Sequence, residues 1–138
     1  MSFKRILLPV NDQDDISLVA DFAFALAEQQ EAEVQGIFPQ EDVNRNFWLD
    51  NYGLNEGEIE EAEIQRKKKA AEAARRAKKR FGGYAKKHET ISTKHVSTFG
   101  NIGTSILDHA FCSDVIVLGN TTHQGRRYWR TLADDLLV

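Results

Sequence analysis

Short, β-branched apolar runs alternate along the chain with longer stretches whose apolar residues recur every three or four positions. The clearest run is Val115-Ile116-Val117-Leu118, which reads as a strand buried on both faces of a parallel sheet. It stops at Gly119 and passes into a polar loop holding His123, Gly125, Arg126 and Arg127. A glycine ending a strand is commonly just a turn. Ligands of open α/β sheets, however, collect at the carboxyl ends of the strands, and a glycine there lets backbone N–H groups approach a phosphate.

The same periodicities order the rest of the chain. Phe3–Val10 reads as a first strand, with Pro9 tolerated where no neighbour needs its N–H. Asn11 to Asp15 is a turn, with Asp14 or Asp15 as N-cap of a helix running to about Gln30. Val19, Ala20, Phe22, Ala23, Leu26 and Ala27 are its expected apolar face. Capping explains these carboxylates better than Ca²⁺, because the glycine and distal glutamate of an EF-hand loop are missing. Glu33–Phe38, closed by Pro39, is a second strand, completing a unit of βαβ size.

Residues 40–57 show no period but contain Phe47, Trp48 and Tyr52, which fit a small satellite core or a lid. Glu58 to about Arg80 is the most helical piece, with Ala70, Ala71, Ala74, Ala77, Phe81 and Tyr84 on one face. Acids crowd its start and cations its later turns, as the helix dipole favours. Glu63 with Lys67 and Glu72 with Arg76 are expected i,i+4 pairs, and Gly82-Gly83 is expected to end or bend the helix. A third strand near Ile91–Phe99 leads through Gly100-Asn101-Ile102-Gly103 to a short helix over Ile106 to Phe111, capped by Thr104 or Ser105. Arg127–Val138 begins a fourth helix. The order β-α-β-α-β-α-β-α predicts an open parallel α/β sheet with helices on both faces.

Composition changes this picture little. The 138 residues fit one domain, spanning 1–138. A net charge of −3 carries no global nucleic-acid signature, and the basic runs 66–69 and 75–80 read as a solvated helix face, so nucleic acid is disfavoured as a partner. Cys112, the only cysteine, excludes an internal disulfide and is expected to pack in the core. His88 and His95 lack partners at metal-ligand spacing, His109 reads as a partly buried or surface histidine, and no metal is expected. No apolar run approaches the length of a membrane span, and residues 6–10 are too short for a signal peptide. No membrane partner is expected, and a cytoplasmic location is the default.

Three pieces in this order resemble the universal stress protein family across nearly the whole chain. They are Phe3-Lys4-Arg5-Ile6-Leu7-Leu8-Pro9-Val10, then Gly100-Asn101 before a helix with Ile106-Leu107, and then Ser113–Gly119. The resemblance implies a Rossmann-like parallel sheet of order 3-2-1-4-5. The fifth strand has no counterpart here, leaving 3-2-1-4 with β4 as an edge. It also implies a homodimer, or a tandem protein with a second such domain covering that edge.

ATP-binding members of the family resemble one another in a motif G-x2-G-x9-G-[ST] after strand four. Gly119 matches its first glycine, but Thr122 stands at the second. The last pair falls on Leu132-Ala133 or, with two residues deleted, on Arg130-Thr131. Asn11 replaces the strand-one aspartate. The resemblance therefore implies a degenerate site for ATP or AMP, between strands 1 and 4. Its residues are Pro9, Asn11, Ile37, Leu118, Gly119, Thr122, Gly125, Arg126, Arg127, Arg130 and Thr131. Arginines pair bidentately with phosphate oxygens and can supply charge where loop amides are lost. A non-catalytic stress-response or signalling domain is the expected function. Slow ATP hydrolysis, with Asp12 as candidate metal ligand, and nucleic-acid binding by the basic helix are the alternatives.

Overall fold

The computed structural model describes residues 4–12, 15–40, 53–100 and 102–118, with Ile102 and Gly103 described by backbone only. Four parallel strands form one sheet in the order β3-β2-β1-β4: β1 (Arg5–Pro9), β2 (Glu33–Gln40), β3 (Thr93–Phe99) and β4 (Val115–Ile116). Three helices connect them: α1 (Ser17–Gln30), α2 (Glu56–Lys86) and α3 (Ile102–Ala110). This is the predicted α/β architecture and strand order.

β1 alternates its side chains between two cores. Ile6 and Leu8 enter the larger one, shared with α1, α2 and β2, while Leu7 joins Ile37 and Ile106 of α3 on the opposite face. All three β1 residues are fully buried, which explains a run with no polar alternation.

Each helix corrects the expected pattern in detail. On α1 the inward face is Ala20, Ala23, Phe24 and Ala27, at i, i+3, i+4 and i+7. Phe22 is exposed, because its phase is taken from Phe24, whose ring lies 6.2 Å from Phe81. The N-cap is Ile16, which makes no side-chain cap hydrogen bond. Asp15 instead accepts from the Ser17 backbone N–H at 3.0 Å. The Ile16 N–H donates to the Tyr84 hydroxyl at 3.1 Å, tying the start of α1 to the end of α2.

α2 is capped by Asn55, whose side chain accepts from the Glu58 N–H at 2.9 Å. It runs through Gly82 and Gly83 unbroken, since both are exposed and Tyr84 beyond them is anchored in the core. Ala71 of the expected face is exposed. α3 begins at Ile102, so Thr104 and Ser105 lie within it, and Phe111 falls in the following turn, 88% exposed. Cys112 is exposed in that same turn rather than packed.

The two prolines sit where the ladders run out. Odd residues of β2 bond toward β1, as the Glu33 N–H to Lys4 carbonyl bond (3.0 Å) and the Val10 N–H to Ile37 carbonyl bond (2.8 Å) show. β2 therefore continues through Pro39 to Gln40, because the N–H that Pro39 lacks would face the space beyond the end of β1. Gly36, in the middle of β2, lies under the Phe81 ring. A Cβ at Gly36 would come within 2.6 Å of that ring, which His95 flanks at 5.4 Å.

Gly36→Val should therefore destabilise the fold by about 1–3 kcal/mol through overpacking. A combined Gly36→Ala and Phe81→Leu variant, which makes room for the methyl, should lose less than the sum of the two single changes. Denaturant melts of the three proteins measure this coupling.

Candidate functional site

The chain reverses direction across the sheet at β1, which is flanked by β2 on one side and β4 on the other. That is the switch point at which open α/β sheets leave a crevice. Its walls are set by backbone pairing. Pro9 lies opposite Ile37 in register, and the Val117 N–H donates to the Leu7 carbonyl at 3.0 Å. The next β1 residue in phase is Pro9, which has no N–H, so β1 offers β4 no further donor. Leu7 and Ile116 are the last paired residues of the two strands.

Four of the expected site residues meet at this edge. Pro9 and Ile37 are fully buried, Asn11 is 8% exposed just past β1, and Leu118 is 37% exposed just past β4. Gly119, Thr122, Gly125, Arg126, Arg127, Arg130 and Thr131 lie outside the described residues, as do His123, the Phe47/Trp48/Tyr52 segment and the expected fourth helix. α3 begins directly after the carboxyl end of β3. The turn before it contains Gly100 at φ 129°, whose N–H donates to the Gln40 carbonyl at 3.0 Å. The positive end of the α3 dipole thus points to the same edge of the sheet as Pro9 and Leu118.

Asp12, the candidate metal ligand, is already engaged. Its carboxylate accepts from Arg76 of α2 at 2.8 Å and is 12% exposed. Arg76 thus makes a pair that crosses from α2 to the turn after β1. No cluster of His, Cys, Asp or Glu suited to a metal occurs among the described residues. Arg76 is the residue that sequence reasoning misses at this edge, because its partner lies 64 positions away in the chain.

The opposite edge of the sheet is closed by polar contacts. One Asp114 oxygen accepts from the Lys4 N–H at 2.7 Å and from the Arg5 N–H at 3.1 Å. Arg5 in turn pairs with Glu33 and donates to the Cys112 carbonyl at 3.2 Å. These two backbone bonds hold the Asp114 carboxyl below the usual carboxylate range. A cleft of about 540 Å³ at this edge is lined by Lys4, Glu28, Glu31, Glu33 and Ser92. Its carboxylates and its place at the amino ends of the strands set it apart from the crevice.

Three half-buried histidines lie among the described residues. His88 stacks on Phe24 at 4.9 Å with the rings nearly parallel and lies 3.8 Å from Asp21. His95 has its proton affinity lowered first by burial and then by Lys78, and its buried Nε2 has no hydrogen-bond partner. His109 turns its Nδ1 to the Ser105 carbonyl at 2.9 Å, within α3. These three serve packing and helix contacts.

No protein-family model and no curated protein matches the chain. Solved structures do. Hypothetical protein MJ0577, the subject of a structure-based assignment of biochemical function, superposes with a TM-score of 0.68 at 16% identity, over 99% of this chain and 90% of that one. Universal stress protein UspA from Lactobacillus plantarum gives a TM-score of 0.57 at 23% identity, over 90% and 81%. A universal stress protein in complex with cAMP gives 0.53 at 11% identity, over 99% and 90%. The chain has the universal stress protein fold.

The Asp114 contacts have a pH consequence. Its folded-state pKa lies below its unfolded value of about 3.9, so its contribution to stability is complete above that value and is lost as pH falls through the lower, folded one. Asp114→Asn should lower stability at neutral pH and flatten its decline below about pH 4, as read from urea melts across the acid range. An unchanged pH profile would show that the two N–H bonds do not depend on the charge.

Proposed function

We propose that residues 1–138 form a single universal stress protein-type domain that acts in stress response or signalling without catalysis of its own. An adenine nucleotide, ATP or AMP, is its weak regulatory ligand in the crevice between β1 and β4. The observation that carries this reading is the end of the β1–β4 pairing at Leu7 and Ile116, just before Pro9, with Asn11, Ile37 and Leu118 at the same edge of the sheet. The cAMP complex of a protein with this fold supports an adenine ligand. The degenerate glycine motif argues for weak binding, with Arg126, Arg127 and Arg130 standing in for loop amides toward phosphate. The engagement of Asp12 by Arg76 favours a sensor over phosphoryl transfer, since a metal would have to displace an ion pair to reach that carboxylate. A cytoplasmic location fits this role, and no described helix is long and apolar enough to cross a membrane.

Calorimetric titration with Mg²⁺-ATP and with AMP tests the site. Micromolar to millimolar binding is expected, abolished by Gly119→Trp and weakened at least tenfold by the combined Arg126→Ala and Arg127→Ala change, at roughly 1.5 kcal/mol or more for charged hydrogen bonds. Absence of heat with either nucleotide would end the nucleotide reading.

The β4 edge supports a second part of the proposal, a homodimer or a contact with a tandem domain. Among the described residues β4 is the sheet's outer strand, and the Val117 N–H already faces β1. The next residue, Leu118, therefore turns its N–H outward. Light scattering should report a dimer of the 15.7 kDa chain, and Leu118→Pro should make it a monomer. A dimer that survives this change is built elsewhere.

A further inference from the structure

α1 and α2 cover the same face of the sheet, and each presents a second stripe to the outside. On α2, Ala70, Ala74, Ala77, Phe81 and Tyr84 face inward. At 100° per residue, Lys68, Arg75, Lys79 and Lys86 fall on a single line opposite them, about 27 Å long. All four are exposed. From Arg66 to Lys87 the chain carries eleven of its 18 Lys and Arg and only one acid, Glu72. Two acids share this side of the helix: Glu61, nearly two turns before Lys68, and Glu72, four residues after Lys68 and three before Arg75.

The acids that approach α2 from α1 and its preceding turn are engaged elsewhere. Asp12 pairs with Arg76, Asp15 binds Ser17, and Asp21 faces His88. None of the four outward cations makes an ion pair among the described residues.

α1 lies alongside with the opposite chemistry. Leu18, Phe22 and Ala25 point away from the core at helical spacing, with Leu18 86% and Phe22 61% exposed. The Ile16–Tyr84 hydrogen bond and the Phe24–His88 stack set this stretch beside the α2 turns that carry Lys79 and Lys86. A single exposed apolar residue needs no explanation, but an aligned Leu and Phe beside a row of cations with no ion pair among the described residues combine two halves of one recognition chemistry.

We infer that this two-helix face docks on an anionic lipid bilayer as a peripheral contact. The α2 cations meet the headgroup phosphates, and Leu18 and Phe22 enter the boundary with the acyl chains. A nucleic acid would use the cations alone. It would leave Leu18 and Phe22 unused, and no aromatic residue interleaves the row to stack with bases. Peripheral docking needs no spanning helix, so it revises the expectation of no membrane partner without adding a transmembrane segment.

Vesicle flotation with the full chain tests the inference. The protein should float with phosphatidylcholine vesicles that contain phosphatidylserine and stay behind with phosphatidylcholine alone. The combined Arg75→Gln, Lys79→Gln and Lys86→Gln change should weaken binding by on the order of a hundredfold, at about fivefold per cation near the surface. Leu18→Ser with Phe22→Ser should weaken it by about tenfold or more. All five positions are exposed, so thermal melts should match the parent. Three results would overturn the proposal: no binding to phosphatidylserine vesicles, unchanged binding of the Leu18/Phe22 variant, or binding of an oligonucleotide by a protein that ignores vesicles.

Discussion

Everything in this fold depends on β1 being buried on both faces. Ile6 and Leu8 face α1 and α2, and Leu7 faces α3, so removing this one strand would open both cores at once. Its N–H and C=O groups are divided in the same way, bonding to β2 on one side and β4 on the other. A central parallel strand can do this only if its side chains are apolar without interruption.

The two edges of the sheet follow from how β1 begins and ends. At its amino end, the first backbone donors are satisfied by Asp114, and Arg5 links Glu33 to the turn after α3. At its carboxyl end, Pro9 offers β4 no donor, and Pro39 of β2 likewise has none to offer toward β1. One edge is stitched by charge-assisted hydrogen bonds, while at the other the pairing of β1 with β4 stops at Leu7 and Ile116. The edge where pairing stops is also the one toward which the α3 dipole points, which makes it the better host for an anion.

α2 plays two unrelated parts. Its inner face is small, mostly alanine, with Phe81 seated over Gly36, so the helix lies close to β2. Small inner residues leave the helix's chemical variety to its outer face, where the cations collect. Arg76 and Lys78, on its flanks, reach Asp12 and the neighbourhood of His95. The cations on the line directly opposite the core make no ion pair among the described residues, and the proposed membrane contact depends on that line.

Parallel pairing and the number of described elements were legible in the sequence, because alternating β and α periodicities of this size admit few right-handed arrangements, while the strand order was implied by the resemblance to the universal stress protein family. Helix phase was not legible. Phe22 and Phe24 fit an apolar face equally well by spacing, and the choice fell to Phe81 and His88, which lie more than fifty residues away along the chain. Likewise Asp12 reads as a free carboxylate until Arg76 is brought to it, and Cys112 as a core residue until α3 ends one residue before Phe111. Local spacing determines which residues can share a face. Only the tertiary structure decides which face is buried, because that depends on partners that no local window contains.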